Sequence, residues 1–188
     1  IAIPPVVKFR NGYEQGVAYA VEEYELDEVT ALGVYIDDFV APDRGAAAAE
    51  QFMGEGADVI FGAGGPTGSG AISAAAAAGA MVIGVDQDEY FTTFGEGETP
   101  GADMLISSAM KRVDNGVYDL LALLAQGEEL PGIIYVLEAA NDGVGFAEAH
   151  DADVPEEVTE AVAGVFEMLK SGELETGVDP VSGELLAE

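Results

Sequence analysis

The chain has 188 residues, 49% of them hydrophobic, which suits one sizeable domain with a buried core. Its 36 acidic residues against 6 basic ones give a formal net charge of -30, which argues against nucleic-acid binding through phosphates and against attraction to anionic lipid. No cysteine and one histidine, His150, remove disulfides, thiolate chemistry and multi-histidine metal sites together.

The acidic residues are spread along the chain and read as a solvated surface, suited to high salt, where ions screen self-repulsion. No apolar run is long enough to span a bilayer; the longest, around residues 71–85, is broken by Ser73, Gly79 and Gly84. Ile1 opens into an apolar segment with a proline pair and no signal-peptide pattern, so a mature, trimmed or partial chain is expected.

In chain order, residues 6–24 predict a helix, from apolar Val6, Phe9, Tyr13, Val17 and Val21 at three- and four-residue spacings. Residues 31–36 predict a strand. Pro42 and Asp43 offer a helix start, continued over 44–53. Residues 58–61 predict a short buried strand, 62–70 a glycine-rich turn, 71–78 a helix, and 81–85 another strand. A long loop follows over 87–103, punctuated by Gly95, Gly97, Pro100 and Gly101.

Residues 104–106 look strand-like, and Ser107 or Ser108 can cap a helix running to Gln126 and closed by Gly127. Residues 133–137 predict a strand, 141–145 a loop, and 155–170 a helix with Gly172 at its end. The segment from Glu173 reads as an edge or tail. Strands alternating with helices predict an α/β fold, a parallel sheet with helices on both faces. Ligands in such sheets sit beyond the carboxyl ends of the strands, here the loops after Ile36, Phe61 and Val85.

The loop GAGGPTGSG at 62–70 follows a strand and opens a helix, so backbone N–H groups could approach a ligand there. It is not a dinucleotide fingerprint, because Thr67 stands where the third glycine belongs, and it lacks the Gly-Lys-Ser/Thr ending of a phosphate loop. The alternative is a turn needed for chain geometry alone. Asp86 ends the strand over 81–85. Its carboxyl group either accepts two hydrogen bonds from a vicinal diol or caps the next turn; Asp88 lies further from the strand end.

Phe39, after the pair Asp37-Asp38, either stacks on a planar base or packs in the core. Lys111 and Arg112 are either functional or counterions; on a helix Lys111 would share a face with Asn115 and pair loosely with Asp114. No catalytic set is found: there is no G-x-S-x-G elbow, and acidic pairs are too common in this chain to single out.

Five ordered stretches, PPVVKFRNGYEQG (4–16), GADVIFGAGGPTGSG (56–70), IGVDQD (83–88), SAMKRVDNGVY (108–118) and GVG (143–145), together resemble the basic membrane protein family of PnrA-like lipoproteins. The resemblance implies a type I periplasmic-binding-protein fold with two lobes closing on a ligand. It implies an extracytoplasmic, lipid-anchored receptor, not an enzyme, that passes a purine nucleoside to the permease of an ABC importer, with no cofactor and no metal. By matching position, Asp86 would hold ribose hydroxyls, Phe39 would stack on the base, Gly65 would lie against the ligand, and Lys111 would be a polar contact from the hinge.

The chain resembles roughly the later three fifths of such proteins, so the first lobe and a lipobox cysteine are expected outside it. Residues 1–106 would then form the second lobe, 107–140 a hinge crossing with a helix and strand of the first lobe, and 141–188 the return crossing and last helix. The acidic, glycine-rich stretch 89–103 looks longer than the family's usual link and would reshape the pocket rim. Flavins or other nucleobase-like ligands, a sensor domain of a regulator, and a nucleotide-dependent enzyme are the competing readings.

Overall fold

The structure is a computed structural model that describes residues 1–27, 29–132 and 134–187. Helix α1 (Pro4–Glu23) begins on a proline pair, whose missing N–H groups fall where a helix has no internal acceptors for them. Helix α2 (Pro42–Gly54) repeats the device and adds Asp43 in its first turn, where the helix dipole favours negative charge. The strands β1 (Val59–Phe61), β2 (Met81–Asp86), β3 (Leu105–Lys111) and β4 (Val144–Phe146) form one sheet in that order. The first three run parallel, and β4 joins β3 antiparallel.

Side-chain alternation sorts the two faces of this sheet. Ile60 of β1 packs into a core with Ala49, Ile72, Val82, Phe94 and Leu105, so α2 and α3 (Gly65–Ala77) cover that face. Its neighbour Phe61 turns the other way and meets Phe9 and Tyr13 of α1, with ring centroids 6.1 and 5.3 Å apart. Burial raises the Tyr13 phenol pKa, and Asp58 adds to the effect. The α/β sheet with helices on both faces is therefore as expected.

Several elements differ from expectation. Helix α3 begins at Gly65, inside the expected turn, because its small residues let it lie directly on α2: a Cβ on Gly70 would stand 2.5 Å from Pro42 Cα. The expected loop after β2 contains the short helix α4 (Glu89–Thr92) and is pinned by Phe94, which has no exposed surface. Residues 31–36 form no strand. The Arg10 guanidinium of α1 lies 4.9 Å from the Tyr35 ring centroid, so the segment rests on α1 side chains and not on the edge of β1.

The expected helix start at Ser107 or Ser108 is overturned. Both serines lie within β3, and helix α5 (Val113–Gln126) starts only after Arg112. The serine hydroxyls serve other elements: Ser107 Oγ donates to the Ala147 carbonyl at 3.0 Å, and the fully buried Ser108 Oγ accepts from the Glu89 N–H at 3.1 Å. Gly127 closes α5 in the left-handed conformation as expected.

Ile133, the first residue of another expected strand, lies outside the described residues, and 134–137 are not in a strand. Tyr135 Oη donates to Asp119 of α5 at 3.0 Å, and Asn141 Nδ2 donates to the Val136 carbonyl at 2.8 Å, so side chains hold this segment where a ladder was expected. Within the expected loop 141–145, Val144 begins the edge strand β4, whose Phe146 meets Phe166 of helix α6 (Glu156–Ser171) at 6.1 Å. The tail folds back on α1, where Asn11 Nδ2 donates to the Gly183 carbonyl at 2.7 Å.

Candidate ligand-binding site

The carboxyl ends of β1, β2 and β3 carry Gly65, Asp86 and Lys111; Phe39 follows no strand, because 31–36 form none, but lies beside Gly65 in the segment before α2, so the four residues fall in two pairs. The first pair is Phe39 with Gly65. Gly65 opens α3 with φ +57, a conformation glycine adopts without a steric penalty, and a Cβ there would lie 3.5 Å from the Phe39 carbonyl oxygen. That oxygen accepts the Thr67 N–H at 3.1 Å, while Thr67 Oγ1 donates to the Asp38 carbonyl at 2.8 Å and accepts from the Ala41 N–H at 3.0 Å. Phe39 is half-buried and, among the described residues, stands outside the main hydrophobic core.

The second pair is Asp86 with Lys111. Asp86 ends β2 with φ +68, and the Gln87 N–H reaches back to the Val85 carbonyl at 2.8 Å, forming a three-residue turn around it. A non-glycine residue held at positive φ on a strand end is an uncommon arrangement of the kind found at functional sites. Asp86 pairs in register with Met110, which brings Lys111 alongside; Lys111 Nζ lies 2.7 Å from Asp86 Oδ1. Lys111 therefore shares no helix face with Asn115. The loose pairing with Asp114 is also replaced, because Arg112 holds Asp114 at 2.8 Å and its hydrogen bonds lower that carboxyl pKa.

Two further residues complete the geometry. Asp88 caps α4 by accepting the Tyr90 N–H at 3.1 Å, and its other oxygen meets His150 Nε2 at 2.7 Å. His150 stacks on Tyr90 with centroids 4.0 Å apart. Tyr90 Oη donates to Asp151 at 2.9 Å, which raises the phenol pKa. Asp88 is thus engaged with the segment after β4 and is not a free partner of Asp86. Glu89, absent from the sequence-based candidates, is 3% exposed and bonds to both α3 and β2. Its signal was faint: an acid followed by two aromatics, with Gly84 interrupting the apolar strand before it.

A cleft of about 660 Å³ lies between residues 31–36, α1 and β1, with Arg10, Tyr13, Tyr35 and Phe61 on its walls. Phe39 lines one end, but Gly65, Asp86 and Lys111 do not line it. It is the gap left by the strand that residues 31–36 do not form. No group of three or more potential metal-ligating side chains is present among the described residues.

The sequence model of the family described as "ABC transporter substrate-binding protein PnrA-like" matches residues 1–171. The chain belongs to that family. Among curated relatives, it is 29% identical to the CD4+ T-cell-stimulating antigen of Listeria monocytogenes, over 92% of this chain and 49% of the relative. It is 31% identical to basic membrane protein D of Borreliella burgdorferi, over 73% of this chain and 37% of the relative. The chain thus spans about half the length, or less, of the curated relatives it matches.

Two solved structures share the fold. An ABC transporter solute-binding protein from Conexibacter woesei matches with a TM-score of 0.64 and 20% identity, over 87% of this chain and 51% of that one. A transcriptional activator of the comK gene from Bacillus halodurans matches with a TM-score of 0.63 and 18% identity, over 74% of this chain and 46% of that one. Among the described residues, no helix is long and apolar enough to cross a membrane.

Proposed function

We propose that this chain forms the second lobe and hinge of an extracytoplasmic, lipid-anchored receptor that binds a purine nucleoside reversibly by lobe closure and presents it to the permease of an ABC importer. The observation that carries the reading is Asp86, a carboxylate at a strand's carboxyl end with a lysine 2.7 Å away. A vicinal diol can donate to both oxygens of such a carboxylate, and a neighbouring ammonium can donate back to the diol. Phe39, half-buried beside Gly65, offers an aromatic face for a base.

A nucleoside fits better than a nucleotide. Pro66 has no N–H and the Thr67 N–H is taken by Phe39, so the first turn of α3 has little left to offer a phosphate. Asp38, whose carbonyl accepts from Thr67 Oγ1, and the adjoining Asp37 would repel one. The chain's role is binding and not catalysis, in keeping with the solute-binding character of its family.

In this reading residues 1–106 are the second lobe, 107–140 cross to the first lobe and back, and 141–188 hold the return crossing and α6. The support is the exposed apolar face of α5, with Val117, Leu121 and Leu124 each more than half exposed. Calorimetry of the longest available form of the protein with inosine, guanosine and adenosine tests the ligand. Saturable heat with at least one of them is expected. Silence with all three, beside clear binding of riboflavin or another solute, rejects the nucleoside.

A further inference from the structure

Glu89 follows Asp86 by only three positions, yet its side chain turns inward. Its Oε1 accepts the Val85 N–H at 3.2 Å, from the residue before Asp86. Its Oε2 accepts from Ser69 Oγ of α3 at 2.9 Å and also from Thr93 Oγ1. Its own N–H donates to the buried Ser108 Oγ of β3 at 3.1 Å. One residue, 3% exposed, therefore ties β2, α3, α4 and β3 together.

The room for it is built into the strand. A Cβ on Gly84 would stand 2.9 Å from both Cβ and Cγ of Glu89, and 2.6 Å from Ser108 Oγ. Any larger residue at position 84 would displace the carboxyl group.

Building on the purine-nucleoside reading above, we infer that Glu89 is a positioning residue that fixes the Asp86–Lys111 pair relative to the Phe39–Gly65 pair. The path is short on both sides. Ser69 lies one helical turn after Gly65, and Val85 is bonded directly to Asp86. A ligand spanning a diol contact and a base contact needs these two groups in register, because a misplacement of about 1 Å lowers binding of the productive geometry sharply. No other described side chain bonds to both α3 and the end of β2.

The test uses the full chain with Glu89→Gln, which keeps the side-chain length, and Ser69→Ala, which removes the α3 end of the bridge while leaving Glu89. Ile72→Val, in the same core but outside the bridge, is the stability control. Guanosine affinity should fall about ten-fold or more in Glu89→Gln, the effect of about one lost charged hydrogen bond. Ile72→Val should leave it unchanged at a comparable loss of melting temperature.

Amide exchange in the unliganded protein should rise together at Val85–Gln87 and at Thr67–Gly68 in both bridge variants, and not in α1. Affinity that tracks melting temperature equally in Glu89→Gln and Ile72→Val would overturn the inference, as would exchange that rises on one side of the bridge alone. If the wild-type chain binds no purine nucleoside, the ligand assignment fails, and the exchange pattern then decides the role of Glu89 by itself.

Discussion

Replacing Asp86 with asparagine separates the proposed diol contact from mere stability. Asparagine tolerates positive φ as readily as aspartate, so the turn at φ +68 is preserved. The substitution also breaks an ion pair whose side chains are 39% and 45% exposed, and pairs that open to solvent contribute only about 0.2–1 kcal/mol. For a chain of this size the melting temperature should therefore fall by no more than about 4 °C. Binding should respond far more. An amide offers one acceptor where the carboxylate offered two, so one charged hydrogen bond to the diol is lost, about 1.5–3 kcal/mol. That corresponds to roughly a 10- to 150-fold weaker Kd. The discriminating assay is calorimetry with guanosine and 2′-deoxyguanosine on both proteins. Wild type should prefer the ribonucleoside, and Asp86→Asn should narrow that preference, since substitution and deoxygenation remove the same bond. An Asp86→Asn protein that kept the full ribose preference would refute the diol contact, whatever its absolute affinity.

Three other outcomes follow from the geometry. Raising the salt from low to molar concentration should raise the melting temperature, because the repulsion of a -30 chain is screened within about 3 Å at 1 M; an unchanged melting point would sink the reading of the acidic surface as a salt adaptation. The Tyr90 phenol, held protonated by its bond to Asp151, has a raised folded pKa, so its contribution to stability is complete below the ordinary tyrosine range and is lost as pH climbs through the folded value. Tyr13, Tyr19 and Tyr135 are raised as well, so ultraviolet titration should show several late tyrosines in wild type and one fewer in Asp151→Asn, and an identical titration in both would contradict the assignment. If the α5 face belongs against another lobe, this chain alone should bind a hydrophobic dye, and Leu121→Lys with Leu124→Lys should lower that binding with little change in melting temperature; equal dye binding in the double variant would count against the domain reading.

The sequence revealed those elements whose signals are local. Pro42 marks a helix start, Gly127 and Gly172 mark helix ends, and the apolar runs around Ile60 and Val82 are bounded by glycine; the Pro4 start of α1, two residues before the expected one, was not read. The strand-end rule drew attention to the loops after Phe61 and Val85, where Gly65 and Asp86 lie at the ends of β1 and β2. It failed where the deciding contacts are distant in sequence. Ser107-Ser-Ala-Met-Lys111 combines cap residues with good helix formers, and local propensity favours a helix. The ladders to β2 and β4 and the bond from Glu89 to Ser108 outweigh that preference. Residues 31–36 show the reverse. Their composition suits a strand, but a strand forms only against a partner, and Arg10 holds the segment through Tyr35 instead. Glu89 was hidden because its burial depends on partners distant in sequence: Ser69 Oγ, 20 residues before it, donates to its carboxylate, and Ser108 Oγ, 19 residues after it, accepts its N–H.

The placement of the few cations marks out the place where β3 meets the returning chain. Lys111 meets Asp86 at 2.7 Å, Arg112 meets Asp114 at 2.8 Å, and Lys170 meets Asp142 at 2.6 Å. Three of the six basic residues therefore gather where β3 leaves the sheet and the chain returns through residues 141–143. Backbone and amide bonds reinforce the place: the Arg112 N–H donates to the Gly143 carbonyl at 2.9 Å, and Asn115 Nδ2 donates to the Asp142 carbonyl at 2.7 Å. Exposed pairs of this kind add little to global stability. Their short contacts also respond to salt less than the long-range repulsion between scattered carboxylates does, because screening acts most on charges separated by more than a Debye length. A chain built this way should gain compactness as salt rises while keeping the local bonds around residues 111–115 and 141–143. The acidic surface and the clustered cations then act on different scales, one on the collapse of the whole chain and the other on the direction in which β3 and β4 leave the sheet.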